Sequence, residues 1–198
     1  MNLVIVELDK SYPVAASASS AWEFLQDIRA VASCMPGAEI TEQVDDSHFK
    51  GMVKVKVGPA VAAFRGDIEV QGIDTEKKEL KLLGKGADTR GTSSVSMLLT
   101  ASIRETENGQ CELVGHSKVT VNGKMASFGG RMMDSISQRI LQQFADNFSD
   151  NVIAMGGGSD AEAAAARVDE APKELNGLAI VWHLITGFFS KLFSRVST

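Results

Sequence analysis

The stretch GMVKVKVGPAVAAFRGDIEVQ, residues 51–71, alternates apolar and polar side chains on both sides of a Gly-Pro turn signal. In its first half valines alternate with lysines, and in its second half Phe64 and Ile68 lie on the opposite face from charged residues. A period of two is typical of a strand with one buried and one solvated face. The stretch therefore predicts consecutive antiparallel strands with their apolar face towards a core.

The same alternation extends outward from this stretch. It continues to about residue 121 and predicts six antiparallel strands, residues 3–14 predict a further strand, and serines at 17–20 can cap a short amphipathic helix. Beyond residue 121, apolar side chains recur every three or four positions from Met125 to Phe148, which predicts one long helix. We predict an α+β domain in which a curved antiparallel sheet wraps round this long C-terminal helix.

Length and charge limit the classes of function. The 198 residues suffice for one domain and an appendage, and the net charge of −5 argues against a nucleic-acid partner. Two cysteines without a CxxC motif indicate a fold that needs no disulfide, and the N-terminus shows no leader peptide, so we expect a cytoplasmic setting. No run of 18 apolar residues predicts a membrane-spanning helix.

The C-terminal region has a different composition. We predict a domain at residues 1–154, a flexible linker rich in Gly, Ala and acidic residues at 155–173, and an amphipathic helix at 174–198. Lys191 and Arg195 accompany an apolar stripe, as in helices that lie on anionic bilayers. The residues predicted to bind the membrane are Leu178, Val181, Trp182, Ile185, Phe188, Phe189, Leu192 and Phe193. Packing of this stripe on the domain, or as the seam of a homodimer, is the alternative.

Five motifs resemble one protein family. They are SCMPGAE (33–39), GMVKVKVGP (51–59), FRGDIEV (64–70), GKGADTRG (84–91) and NGKMASFGGRMM (122–133). Together they resemble the G-subunit family of carbon monoxide dehydrogenase, of the START/Bet v 1-like (SRPBCC) superfamily. The resemblance implies a helix-grip fold over about residues 1–152 and a molybdenum-containing dehydrogenase of the carbon monoxide type as partner. It implies a membrane-linking accessory role and supplies no catalytic residue.

Catalytic and metal chemistry find little support in the residue pattern. His48, His116 and His183 are interpreted as solvated, and Cys34 as a buried, inert thiol. No His, Cys and acidic spacing indicates a metal site. We therefore predict no catalytic residue, no metal and no covalent cofactor.

The apolar face of the sheet and helix is the candidate ligand site. A helix-grip fold usually encloses a cavity there, and methionines adapt to variable contents. The predicted ligand-binding residues are Val53, Val55, Phe64, Ile68, Leu82, Met97, Leu99, Met125, Phe128, Met132, Ile136 and Ile140, with Arg90 and Arg131 as candidate rim residues.

These expectations combine into one functional hypothesis. The protein binds a quinone or lipid and links the dehydrogenase to the cytoplasmic side of the inner membrane as a peripheral accessory protein. A pure tether or assembly factor with a filled core is the first alternative. A cyclase- or hydrolase-like enzyme is the second, because fold alone does not settle function.

Overall fold

In the computed structural model, residues 2–57, 60–107, 109–156 and 159–170 are described. The predicted strands are confirmed with these bounds: β1 (Leu3–Val14), β2 (Ala38–Gln43), β3 (His48–Val57), β4 (Ala60–Asp74), β5 (Glu79–Asp88), β6 (Ser93–Glu105) and β7 (Cys111–Gly123). The helices are α1 (Ala18–Gln26), α2 (Ile28–Cys34), α3 (Gly130–Met155) and α4 (Ser159–Glu170), with a 3₁₀ helix at Met125–Phe128.

The seven strands form one antiparallel sheet in the order β1-β7-β6-β5-β4-β3-β2. Strand β1 closes beside the last strand of the meander, with Leu3 opposite Asn122 and Val14 opposite Cys111. All seven strands therefore share two ends. The mouth end is the one with the β3–β4 and β5–β6 connections and the start of α3. The base end is the one with the β2–β3, β4–β5 and β6–β7 connections.

Two short helices close the base end. Ser17 caps α1 as predicted, its Oγ accepting a hydrogen bond from the Ser20 backbone N–H at 3.1 Å. Asp27 caps α2 through Oδ1, which accepts from the N–H groups of Arg29 and Ala30 at 3.0 Å each. Both caps satisfy helix N–H groups that have no partner within the helix.

The long helix begins later than its apolar stripe predicts. Met125 to Phe128 form a 3₁₀ turn, and α3 starts at Gly130 after Gly129, whose φ of 79° and ψ of 162° suit glycine alone. The break resets the helical phase, so that Met133 is buried while Met132 is 38% exposed. The expectation of one continuous helix from Met125 is therefore wrong at its first turn.

The predicted linker also differs from the structure. Residues Ser159–Glu170 form α4, which packs on α3 and buries Ala161 and Ala164. Arg167 anchors it, with Nη2 2.7 Å from Oδ1 of Asp150. Residues three positions apart lie on the same face of a helix, and two alanines there are small enough for α4 to approach α3 closely. This face has no stripe of bulky apolar residues, which is the usual signal of a buried helix in a sequence.

The predicted amphipathic helix at 174–198 lies outside the described residues. Within the parts of the chain that the structure describes, no helix combines the length and hydropathy needed to cross a bilayer.

Candidate functional site

A row of glycines lies at the centre of the sheet's concave face. Gly51 of β3 pairs with Gly66 of β4, which pairs with Gly86 of β5. A Cβ added to Gly66 would lie 2.0 Å from the Lys85 carbonyl oxygen. Only glycine allows this approach of neighbouring backbones, and with it the strong bend of the sheet. The row also leaves three adjacent inward positions without a side chain.

Apolar residues border the glycine row on both sides. Val53 pairs with Phe64 towards the mouth end, whereas Ile68 pairs with Gly84 towards the base end, and Gly84 pairs with Met97. All of these except Gly84 are residues predicted to bind a ligand. The sheet register thus brings predicted residues from β3, β4 and β6 together around one central gap, with Gly84 of the intervening β5 between them.

The packed core of the domain forms two clusters. The base cluster joins α1, α2 and the C-terminal half of α3 to the sheet. Phe148 in this cluster is fully buried, and its ring centroid lies 5.2 Å from that of Phe24 with 82° between the ring planes. The edge cluster joins Met133 of α3 to Val6, Leu8 and Val121 of β1 and β7.

The predicted ligand-binding residues divide among these clusters and the space between them. Leu82 belongs to the base cluster, with Ile68 and Leu99 packed against it, and Met125 and Ile136 pack against the edge cluster. Among the described residues, seven predicted positions belong to neither cluster: Val53, Val55, Phe64, Met97, Phe128, Met132 and Ile140. Phe64 is buried, Phe128 and Met132 are exposed, and the other four are half-buried.

Polar groups meet at the mouth end. Ser93 is the buried polar residue there, and its Oγ accepts a hydrogen bond from the Met125 N–H at 3.0 Å. Asp88 accepts from the Arg90 N–H and the Thr92 hydroxyl within its own turn. These bonds, the one from Thr92 first, lower the pKa of the Asp88 carboxyl. Both groups hold the turn together, so neither is a free acid or base.

Two polar side chains escaped sequence analysis. Trp22 is buried in the base cluster, and its Nε1–H has no hydrogen-bond partner among the described residues. Tyr12 lies beside Asp146 in a groove of ≈ 410 Å³ between β1, α3 and α4. Burial first, and the charge of Asp146 second, raise the pKa of the Tyr12 phenol. Neither residue stands in a sequence motif; each is assembled by packing between distant segments.

The titratable residues singled out from the sequence divide between the surface and the core. His48 and His116 are exposed and each contacts one carboxylate, Asp45 and Asp9 respectively. Cys34 is fully buried, and burial raises the pKa of its thiol to about 12. His183 lies outside the described residues. In the described ranges no three His, Cys, Asp or Glu side chains form a metal-binding group.

A second groove, of ≈ 450 Å³, lies where Arg65, Lys85 and Ser94 face outward from the sheet. Neither groove is lined by any residue predicted to bind the ligand. The 450 Å³ groove reaches the glycine row from the outer face, because Gly66 and Gly86 are among its lining residues. The predicted site is the concave apolar surface on the other side of that row.

Comparison with known proteins gives a family and a fold. Residues 11–153 match the family described as the G subunit of carbon monoxide dehydrogenase (CoxG), in agreement with the resemblance of the five motifs. No curated protein matches the sequence.

Solved structures share the architecture at low identity. A conserved protein from Geobacillus kaustophilus is 18% identical with a TM-score of 0.67, the match covering 74% of this chain and 95% of that one. The Zhui aromatase/cyclase of a Streptomyces species is 16% identical with a TM-score of 0.54, covering 78% and 100%. A truncated norcoclaurine synthase from Thalictrum flavum is 16% identical with a TM-score of 0.52, covering 77% and 96%. At these identities the likeness shows the fold alone.

Proposed function

Because the chain belongs to the CoxG family of carbon monoxide dehydrogenase, we propose that it is a non-catalytic accessory protein of a molybdenum-containing carbon monoxide dehydrogenase. It binds a hydrophobic molecule on the concave face of its sheet. A membrane quinone is the ligand that best connects this binding with the accessory role, because a quinone can accept the electrons of the dehydrogenase. Oxidation of carbon monoxide by one water to carbon dioxide releases two electrons and two protons, which convert a quinone to a quinol. The protein brings quinone and dehydrogenase together.

The observation that carries this proposal is the apolar surface left over between the two core clusters. Val53, Val55 and Met97 are half-buried on the concave face, yet neither cluster includes them. A domain with a filled core would bury such side chains against each other, since protein interiors pack densely. Binding sites for apolar molecules have this character: mostly hydrophobic walls with few polar groups.

The chemistry of the same face supports binding rather than catalysis. The polar groups identified at its mouth, Asp88 and Ser93, are occupied in holding turns. General acid–base catalysis needs a titratable group within hydrogen-bond reach of the substrate. The similarity to a cyclase and to norcoclaurine synthase is one of fold, which many unrelated functions share.

Attachment to the membrane is assigned to the predicted helix at 174–198. A stripe bearing Trp182 and several phenylalanines opposite polar residues suits insertion into the headgroup region. Such an interfacial helix attaches a protein reversibly, which fits a carrier that must exchange a ligand with the bilayer.

The ligand is tested by solvent extraction of the purified full-length protein and mass spectrometry. A variant that fills the gap sharpens the test: Gly84→Leu adds a side chain beside Met97, where a Cβ meets ordinary van der Waals contact at 3.7 Å. Gly72→Leu is the matched control, because it lies in open space six residues along β4 from Gly66. We expect a quinone or lipid from the wild type and the control, and its loss from Gly84→Leu. Wild-type protein that yields no such molecule, and binds no short-chain quinone on titration, contradicts the proposal.

The link to the enzyme is tested separately. Purified molybdenum carbon monoxide dehydrogenase is mixed with carbon monoxide and quinone-containing vesicles, and quinol formation is followed with and without the protein. We expect quinol formation to depend on the protein and to be impaired by Gly84→Leu but not by Gly72→Leu. Equal stimulation by both variants favours a tether that carries no ligand.

A further inference from the structure

Three connections meet at the mouth end of the sheet. The backbone N–H of Lys124, after β7, donates to the Thr92 carbonyl oxygen at 3.1 Å, which joins the β7–α3 segment to the β5–β6 turn. The Thr89 N–H donates to the Ala63 carbonyl oxygen at 2.9 Å, which joins that turn to the start of β4. The rim of the concave face is therefore one continuous surface built from distant parts of the chain.

Large apolar side chains protrude from this rim. Phe128 of the 3₁₀ helix is 43% exposed, Met132 in the first turn of α3 is 38% exposed, and Val61 at the start of β4 is 58% exposed. Leu3, at the first position of β1, is 56% exposed at the same end. The alternation of β4 and β1 places Val61 and Leu3 on the outer face of the sheet, whereas Phe128 and Met132 lie where α3 begins. Single exposed apolar residues are ordinary, but Phe128 and Met132 lie four residues apart beside one opening, which indicates a surface that contacts another apolar phase.

Basic side chains surround the same opening. Lys124, Arg131 and Arg90 are exposed, and within the described part of the chain none of them forms a salt bridge. The carboxylate nearest in sequence to Arg90, Asp88, is held by its turn. The opposite end of the sheet is acidic, with these carboxylates in its connections and at the strand ends beside them: Asp45, Asp46, Asp74, Glu76, Glu105 and Glu107.

We infer that the mouth end is itself a membrane-docking surface, which seats the opening of the concave face on an anionic phospholipid bilayer independently of the C-terminal segment. Phe128 and Met132 enter the headgroup region, and Lys124, Arg131 and Arg90 contact lipid phosphates. The inference deepens the proposed function and rests on it: a hydrophobic ligand then passes between bilayer and protein without crossing water.

Charge complementarity selects an anionic bilayer as the occupant. Basic residues near an anionic leaflet are attracted to it, while the acidic base end is repelled from the same surface. The domain therefore has one favoured orientation, with the mouth towards the lipid. Interfacial segments use the same combination of exposed Phe and Met beside basic side chains: the apolar groups insert while the charges stay at the headgroups.

The test places a fluorescent reporter on each end of the full-length protein. Ser127 is exposed next to Phe128, and Thr75 is exposed at the base end. Because Cys34 and Cys111 are both buried, an environment-sensitive dye attaches selectively to the introduced thiol of Ser127→Cys or Thr75→Cys. The probe is a vesicle of phosphatidylcholine and phosphatidylglycerol containing nitroxide-labelled acyl chains. We expect a blue shift and quenching for the dye at 127 and no change for the dye at 75.

Charge-reversed variants supply the matched comparison. Lys124→Glu with Arg131→Glu is expected to weaken quenching of the dye at 127 by at least about tenfold in vesicle concentration, because two attractions become repulsions. Lys77→Glu with Lys78→Glu makes the same change of net charge at the base end and should leave quenching intact.

The outcomes separate this inference from the proposed function. Protein that sediments with the vesicles while the dye at 127 remains in water overturns the docking surface and leaves attachment by the C-terminal segment standing. Protein that fails to sediment at all contradicts membrane linkage altogether. If the Lys124→Glu, Arg131→Glu variant keeps its quenching but loses carbon-monoxide-dependent quinol formation, the mouth end binds the dehydrogenase and the inference is wrong.

Discussion

Helix α3 is buried at its C-terminal half and partly uncovered at its N-terminal half. Phe148 and Val152 are enclosed by α1, α2 and the base of the sheet, whereas Met132 lies at the surface and Ile140 is half-buried. The same helix therefore both stabilises the domain and borders its candidate ligand site. Because one end holds the helix in place, the other end does not have to be packed for the domain to fold.

This division separates stability from function along a single element. Residues of the base cluster contribute apolar burial of about 25 cal/mol per Å², and residues at the mouth contribute exposed surface that a ligand or bilayer can cover. Segments that serve binding are commonly drawn from the less stable parts of a protein. Substitutions in each half of α3 test whether the two halves differ in this way.

Phe148→Ala should give the largest loss of stability. The side chain is fully buried and packs edge-to-face on Phe24, so its truncation should lower the free energy of unfolding by about 3–5 kcal/mol. Met132→Ala, at the mouth, should change it by no more than about 0.5 kcal/mol. Urea denaturation followed by circular dichroism measures both. Equal losses would show that the mouth half of α3 carries as much of the fold as the base half.

Asn147→Ala should be the next most damaging at the base. The Asn147 Nδ2 donates to the carbonyl oxygen of Cys34 at 2.9 Å, at the buried C-terminus of α2. Removal of the donor leaves that carbonyl unsatisfied, with a loss of about 1–3 kcal/mol in the free energy of unfolding. The control is Gln138→Ala, whose side chain contacts Asp134 on the exposed helix surface, and its effect should be negligible in the same denaturation series.

Gly129→Ala tests the break at the mouth. The glycine has a positive φ with ψ near the extended value, so a Cβ should cost about 1–3 kcal/mol in strain. Gly130→Ala is the matched control, because this neighbour is the first residue of α3 and has open space around it. It should stabilise the domain by about 0.4–1 kcal/mol. A neutral Gly129→Ala variant would mean that the 3₁₀ turn and α3 can join into one helix.

The smallest effect is a pH dependence at the base end. The hydrogen bond that the His48 ring N–H donates to the Asp45 carboxylate, followed by the charge of that carboxylate, raises the pKa of His48 above the usual value of about 6.5. The folded state therefore binds this proton more tightly. The resulting stabilisation is present below about pH 6.5 and is lost as the pH rises through the folded pKa. The melting temperature should fall slightly over that rise, and His48→Gln should remove that part of the dependence.

The sequence predicts local features well because they depend on near neighbours. Alternation alone located the strands around Phe64, and a serine ahead of an apolar run located the cap of α1. The break at Gly129 was missed because a stripe from Met125 to Phe148 does not show where its phase is reset. Helix α4 was missed because Ala161 and Ala164 give no hydrophobic periodicity, although α3 buries them.

The candidate site was predictable in composition and not in arrangement. Inward residues such as Val53 and Met97 follow from strand alternation, but their position outside both core clusters depends on tertiary packing. The alignment of Gly51, Gly66 and Gly86 depends on the register of three strands, which no single-strand pattern determines. Contacts such as that between Asn147 and Cys34 join segments far apart in sequence.

The glycine row also determines how selective the concave face can be. Its floor at Gly66 is main chain, which has no rotamers to rearrange around different occupants, whereas the methionines near it can adapt. A molecule bound there would contact rigid backbone on one side and adaptable methionine side chains on the other. The rigid backbone would therefore restrict the thickness of the bound molecule, whereas molecules of different length and branching would be accepted.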